Sequence, residues 1–291
     1  VAWPGESAGT LLPEMAKRLG LTTGTVVSAG QLDGYAGLPG SGVYGAGTLA
    51  VMLGTSNSYM LLDRERKPVP GICASVENSV LPGFTNYAAG QASAGDILTW
   101  FAENCVPGAC QRAAEEQGVG IHDYLTALAA RKAPGESGLI ALDWWNGNKS
   151  VLHNSRLSGM LLGMDLSTRP EDIYRALIEA TAYGARKIVE TFENGGIAID
   201  EVIASGGMAM KNPLLMQIYA DVLGKSITVS ACRQSAALGS AMYAAAAAGG
   251  MAGGYDSVSD AVRNMAHKSR VQYTPDQKAH QVYNRLYGEY L

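Results

Sequence analysis

The stretch "VSAGQLDGYAGLPG", residues 26–39, holds one carboxylate, Asp33, among glycines and apolar residues, and no further charge follows until Asp63. A lone acid beside glycine has two readings. It is a turn residue, because Asp tolerates the backbone angles that turns need, or it is a general base at the mouth of a flexible, apolar segment. Two glycine turns further along could hold an anion. "GTSN" at 54–57 lies between two apolar runs. Gly54 would let the backbone approach a ligand there, and the N–H groups with the Thr55 and Ser56 hydroxyls can donate to anionic oxygens. A plain hairpin turn is the competing reading. "SGGMAMKNP" at 205–213 follows an apolar strand and opens a helix, which is where open α/β sheets bind ligands and helix N-termini favour phosphate. Neither loop has the G-x-x-x-x-G-K-[ST] spacing of a P-loop. Two glycine turns flanking one sheet point to a nucleotide.

The elements that must position these residues follow from periodicity. "LLPEMAKRLGL" (11–21) predicts a short helix closed by Gly20, and "TVVSAG" a short buried strand. "TLAVMLGTSNSYMLL" (48–62) predicts strand, tight turn and strand. Helices are expected over 92–105 and within 111–132, and a strand over 138–147 that ends in Trp144 and Trp145, read as core or packing residues. Over 170–196, Ile173, Leu177, Ala180, Gly184 and Ile188 recur at helical spacing, which predicts a long helix buried on one face. Strand 201–207, helix 212–224, strand 227–230 and helix 235–249 complete an alternation that argues for an α/β layered domain.

Composition narrows the function classes. The 291 residues, 47% hydrophobic and 16% charged, allow one large α/β domain or two smaller ones with ample core. A net charge of −4 with mixed signs gives no footprint for nucleic acid, and no run of like charge suits a membrane surface. The uncharged stretches 34–62 and 234–255, the first glycine-rich with a proline and the second mostly alanine and glycine, read as buried core. Cysteines at 73, 105, 110 and 232 form no zinc spacing and read as reduced thiols of a cytoplasmic protein. The scattered histidines 122, 153, 267 and 280 argue against a histidine metal site. The sequence begins at Val1 on "VAWPGESAGT", which reads as the middle of a loop, so a fragment or processed half of a longer protein is expected.

"GMLLGMDLSTRPEDIYRALIE" (159–179) resembles the second signature of the FGGY family of carbohydrate kinases, with Gly159, Leu161, Gly163 and Met164, a gap, then Asp172-Ile173 and Ala176-Leu177-Ile178-Glu179. "LPGFTNYAAGQASAGDILTWF", "LDWWNG", "SGGMAMKNPLLMQIYADVLG" and "QSAALGSAMYAAAAAG" are similar to the C-terminal half of its pentulose kinases, so the resemblance spans the chain. It implies an α/β lobe of actin-like ATPase, ribonuclease-H-like fold, a mixed sheet flanked by helices. Residues 1–46 would be the end of an N-terminal lobe and hinge, and 47–291 the nucleotide-binding domain.

The implied activity is transfer of the γ-phosphoryl of ATP, with Mg²⁺, to a pentulose, ribulose giving ribulose 5-phosphate. Xylulose or ribitol are rival acceptors, and a non-catalytic actin-like nucleotide sensor is the rival of another class. Asp33 would be the general base, with a contact to the substrate and to the Mg²⁺ of ATP. Gly54, Thr55 and Ser56 would meet the phosphates, Gly95 would border the nucleotide and Thr99 the adenine pocket. Gly206, Gly207, Lys211 and Asn212 would hold ribose and adenine, with a solvated surface lysine as the other reading of Lys211. Gln91 would lie on the sugar side of the cleft. The first phosphate loop and most of the sugar site would belong to a missing N-terminal lobe. Partners are then the sugar, ATP, that lobe and, as an assembly, a second copy in a homodimer, with no nucleic acid and no membrane. One departure is the absence of an acidic residue near "YAAGQ", where Ala88 and Ala89 stand, which bears on the identity of the sugar.

Overall fold

A computed structural model describes residues 2–267 and 271–291. The chain opens with β1 (Ser7–Thr10), α1 (Pro13–Leu19), β2 (Val26–Ser28) and α2 (Asp33–Gly40). Pro13 starts α1, and Gly20 closes it at φ 68°. β2 joins β1 in a two-stranded ribbon and is partly exposed, so the expected buried strand lies at the periphery. The larger difference is at 33–40. The glycine-rich segment expected as a turn is the helix α2, with Asp33 in its first turn.

β3 (Thr48–Leu53) and β4 (Asn57–Asp63) form the hairpin around the GTSN turn, followed by β5 (Ala74–Glu77), β6 (Thr85–Gln91), α3 (Gly95–Asn104), α4 (Gly108–Glu116) and α5 (Ile121–Ala129). The single helical pattern expected over 111–132 is thus two helices, because Gly118 takes φ 67° and ends the first. Next come β7 (Ile140–Leu142), β8 (Met160–Leu162), α6 (Pro170–Asn194), β9 (Glu201–Ser205), α7 (Gly207–Lys211), α8 (Pro213–Leu223), β10 (Ile227–Val229), α9 (Ser235–Ala248), α10 (Val258–Met265), β11 (Gln272–Tyr273) and α11 (Gln277–Tyr290).

The main sheet runs β11-β10-β9-β3-β4-β6-β5, with β10, β9 and β3 parallel and the other pairings antiparallel. Strand alternation sends Leu49, Val51, Leu53, Tyr59, Leu61 and Tyr87 into one core, shared with α3, α5, α6, α8 and α11. Ala50, Met60 and Leu62 enter a second core, shared with α2, α9 and α10. No helix among the described residues is long and apolar enough to cross a membrane.

The signature over 159–179 launches α6. Gly163 takes φ 91° where a Cβ would lie 2.6 Å from the Gly138 carbonyl oxygen, and Asp172 accepts the Arg169 N–H at 2.9 Å to cap the helix. α6 is expected to bury one face, yet it is buried on all sides from Tyr174 to Ala185. Its charged residues Arg175 and Glu179 are paired inside, while the buried Tyr183 hydroxyl has no partner among the described residues. Arg175 Nε meets Glu179 Oε1 at 2.8 Å, its other nitrogens donate to the Ala129 carbonyl and the Tyr283 hydroxyl, and the Tyr283 hydroxyl donates to Glu179 at 2.9 Å. Burial nevertheless raises the pKa of Glu179. From α11, Tyr287 and Tyr290 likewise donate to Glu190 and Asp143, at 2.7 and 2.8 Å.

On the other side of the sheet, α2 and α9 meet backbone to backbone. A Cβ on Gly239 would lie 1.8 Å from the Ala36 carbonyl oxygen, and one on Gly40 would lie 1.7 Å from that of Ser235. Gly40, at the end of the helix that Asp33 opens, therefore serves helix packing. Because neither contact is a flexible side-chain tip, Gly239→Ala should push the helices apart and lower stability by about 3 kcal/mol, an overpacking cost. Urea unfolding monitored by circular dichroism measures it, and an unchanged midpoint would refute the contact.

Candidate active site

β3 and β9 are neighbouring parallel strands, and each ends in a glycine turn on the same side of the sheet. After β3, Gly54–Ser56 turns back its carbonyls to receive α3. The Gly95 N–H donates to Gly54 O at 3.1 Å, and the Ala94 and Asp96 N–H groups donate to Thr55 O at 2.8 and 3.2 Å. Of the turn's own N–H groups, that of Gly54 is accepted by Asn57 Oδ1 at 3.4 Å, and no protein group among the described residues accepts from Thr55 or Ser56. After β9, Gly206 takes φ 99° and passes so near β3 that a Cβ would stand 2.3 Å from the Leu53 carbonyl oxygen. Gly95 is equally confined, its Cβ position being 2.7 Å from Gly54 O and 3.1 Å from Met208 Sδ. Gly207 differs from both. A Cβ there would meet nothing within 4 Å, so this glycine faces open space.

That space is a cavity of 370 Å³. Its wall brings together Gly54, Thr55, Gly95, Thr99, Gly207, Lys211 and Asn212, all expected at the site. Asn212 also has a local task. It caps α8 by accepting the Leu215 N–H at 2.9 Å, and its amide donates to Thr126 Oγ1 at 3.3 Å. Lys211 is exposed at the rim, in no ion pair among the described residues. Gly206 holds the turn from behind. The apolar part of the wall, Leu98, Tyr174 and Met208, was not expected, nor were His122, Asp123 and Thr126 on α5. His122 Nδ1 lies 3.1 Å from the Tyr174 hydroxyl, whose pKa burial pushes up to about 12. The available signal was the i, i+4 pair of polar residues, His122 and Thr126, on one face of an otherwise apolar helix. Apolar walls with donors at one end suit an aromatic base carrying an anionic tail.

Ser56 is exposed on the turn but does not line this cavity. Asp33 does not line it either. It is exposed in the first turn of α2, its Oδ1 accepting the Gly34 N–H at 2.7 Å. Gly34 stands against the Met60 methyl, at 3.4 Å from its Cβ position, and Met60 is paired across the sheet with Ala88. Of the two alanines that replace an expected acid, Ala88 therefore shares a sheet face with Asp33, whereas Ala89 is buried in the first core. The nearest groups that could hold a metal do not form a cage. Among the described residues no three His, Cys, Asp or Glu side chains converge.

Gln91 corrects the expectation of a sugar contact. It is 4% exposed, its Oε1 accepts from Asn57 Nδ2 at 3.0 Å and from the Tyr59 hydroxyl, and its Nε2 donates to Asp143 Oδ2 at 2.7 Å and Thr181 O at 2.9 Å. With both ends of the amide committed inside the protein, none is left for a sugar. The network supports the turn instead, since Asn57 Oδ1 accepts the Gly54 N–H at 3.4 Å and Asn57 Nδ2 also donates to the Tyr219 hydroxyl at 3.0 Å. Gly184 makes room for it, because a Cβ there would lie 2.4 Å from Gln91 Nε2 and 2.5 Å from Asp143 Oδ2. Burial pushes the Asp143 carboxyl up to about 6, against the pull of its hydrogen bonds from Tyr290 and Gln91.

Residues 49–248 match the model of the C-terminal domain of the FGGY family of carbohydrate kinases. A ribulokinase of Anoxybacillus flavithermus is 48% identical over 98% of this chain and 51% of its own length, and one of Geobacillus thermodenitrificans is 47% identical with the same coverage. The chain spans about half the length of the curated relatives it matches. Among solved structures, a xylulose kinase of Rhodospirillum rubrum is similar with a TM-score of 0.84 at 28% identity, covering 100% of this chain and 55% of that one. A Plasmodium falciparum glycerol kinase with ADP has a TM-score of 0.77 at 17% identity over 99% of this chain and 54% of its own, a likeness of fold alone.

Two outcomes follow from this geometry. Gly207→Val should weaken ADP binding at least about tenfold while circular dichroism stays unchanged, because the added side chain enters the cavity and touches no protein atom. Calorimetric titration reads the affinity, and unaltered binding would mean that the glycine serves the turn only. For Asp143, the folded protein binds the proton more tightly than the unfolded chain, where the value is near 3.8. Its contribution to stability is therefore complete below pH 3.8 and lost as the pH rises through about 6, with a slope of up to about 1.4 kcal/mol per pH unit in that window. Asp143→Asn should remove that part of the slope in denaturant titrations from pH 4 to 7, whatever its overall stability. A slope that survives the substitution would assign it to another group.

Proposed function

The chain belongs to the FGGY family of carbohydrate kinases, and on that premise we propose that it forms the nucleotide-binding portion of an ATP-dependent pentulose kinase, with ribulose as acceptor. The observation that carries this reading is the cavity between the two glycine turns, with an apolar wall at one end and, at the other, Gly54 and Thr55 of the turn, the Thr55 N–H accepted by no protein group among the described residues. Adenine would lie against Leu98, Tyr174 and Met208, with Thr99 at its edge. Gly207, Lys211 and Asn212 would receive the ribose, and the phosphates would run across Gly54–Ser56. The sheet ends hold both turns rigidly, so the phosphate donors stand in place before ATP arrives.

Asp33 is the group we assign as general base. Its carboxylate would take the proton of the acceptor hydroxyl while that oxygen forms its bond to the γ-phosphorus and the bond from phosphorus to the ADP oxygen breaks. Mg²⁺ would be brought in on the triphosphate, with Asp33 as a candidate side-chain contact. Bound there, the ion offsets charge on the phosphate oxygens. Residues 1–46 then belong to the end of a preceding lobe and hinge, 47–291 form the nucleotide-binding domain, and the remaining sugar contacts come from sequence outside this chain.

Xylulose is the second reading for the acceptor. Ala88 bears on the choice, because that position lies on the sheet face against which the start of α2 packs and offers no carboxylate to a sugar hydroxyl; ribitol is a further candidate. A coupled ADP-release assay with ribulose, xylulose and ribitol, on a protein of the relatives' full length, decides between them. In that protein Asp33→Asn should lower turnover by at least about 10²-fold and leave ADP affinity unchanged. Near-normal turnover would remove Asp33 from the mechanism.

A further inference from the structure

A second cavity, of 360 Å³, is lined by Ala92, one residue beyond β6, and by the loop 146–155. This loop is held in shape. Asn148 and Asn154 exchange backbone hydrogen bonds at 2.9 Å, Gly147 takes φ 74° with its Cβ position 2.6 Å from Ser155 Cα, and the buried Ser150 hydroxyl accepts the Gly90 N–H at 3.1 Å. The last contact fastens the loop to β6, next to the strand that leaves the turn.

The cavity is lined with donors. Asn148 Oδ1 accepts the Leu152 N–H at 2.9 Å and Asn154 Oδ1 accepts the Arg156 N–H at 3.0 Å, so both side-chain carbonyls are engaged within the loop and their amide N–H₂ groups remain to donate. Lys149 and His153 line the same space, and no carboxylate does. Lys149 is exposed and in no ion pair among the described residues. A wall of ammonium and amide donors without acid is built for an oxyanion.

Its place relative to the turn is set by Gly90. The Cβ position of Gly90 is 3.6 Å from Lys149 Nζ and 3.2 Å from the Asn57 carbonyl oxygen, so the ammonium and the residue that ends the turn share one side of β6. Two residues back on that same side is Ala88, opposite Met60 and beside the start of α2. Lys149 and the start of α2, where Asp33 stands, therefore border one face of the sheet, the cation against Gly90 and the helix against Met60.

We propose that Lys149 is a further phosphate-contacting residue, its ammonium pairing with the γ-phosphoryl oxygens between the GTSN turn and Asp33. The inference rests on the nucleotide reading above. Lys149 forms no covalent bond and exchanges no proton; it offsets charge on the group being transferred.

The test uses a protein of the relatives' full length that contains this chain, and compares ADP with a hydrolysis-resistant ATP analogue by calorimetric titration. Lys149→Met should weaken the triphosphate about tenfold and leave ADP unchanged, since only the triphosphate carries the γ group. Lys149→Arg, which keeps the charge, should recover most of the loss. The side chain is exposed, so thermal unfolding should not move in either variant. Equal affinities of the unaltered and Lys149→Met proteins for the triphosphate would overturn the proposal, as would an equal loss for ADP. If the unaltered protein bound neither nucleotide, the nucleotide reading itself would fall, a result distinct from both.

Discussion

Everything at the site depends on how closely β3, β9 and α3 meet at their ends, and that is a steric constraint on two missing methyl groups. A side chain at Gly206 would press on the Leu53 carbonyl and one at Gly95 on the carbonyl of Gly54. With both absent, the N–H groups at the start of α3 reach the carbonyls of Gly54 and Thr55, and the N–H groups of Thr55 and Ser56 are left without a protein acceptor among the described residues. A loop tied by its acceptors, with two of its N–H donors unclaimed by protein, has the chemistry that suits an anion. The cavity, its apolar wall and the order of groups around it follow from that arrangement.

Beneath the turn the protein accepts a buried polar network where a hydrophobic core would be simpler. Asn57, Gln91, Tyr219 and Asp143 leave few groups unpaired, and a network of this kind holds one geometry because each member has one set of partners. The cost is a carboxyl held at a raised pKa in the interior. What the network supplies is direction. Asn57 is fixed by two deep partners and in turn faces the Gly54 N–H.

Much of this was legible in the sequence, and the failures have physical causes. The hairpin around GTSN and the turn after β9 were visible because apolar strand runs end abruptly in glycine. The start of α6 was equally clear from Pro170 and its acidic neighbours. α2 was misread because glycine density was taken as flexibility, whereas Gly40 and Gly239 are small so that two helices can touch. Gln91 was misplaced because a polar residue at a strand end looks the same whether it faces solvent or a buried acid. Asp143 was passed over inside "LDWWNG", since nothing local marks a carboxylate whose partners lie on β6 and α11. The wall formed by His122, Thr126 and Tyr174 joins two helices far apart in sequence, a juxtaposition that periodicity alone cannot supply.

The tyrosines of α11 bear on how this fold is reached in time. Tyr290 meets Asp143 across 147 residues of chain, and Tyr283 meets Glu179 across 104. Contacts of such separation are entropically expensive to close and come with slow folding, because the loop must be ordered before the contact repays it. Until α11 docks, the acids of α6 and β7 keep their water, and the first core cannot become dry. The helix most remote in sequence from the GTSN turn therefore governs when the floor beneath that turn becomes solid.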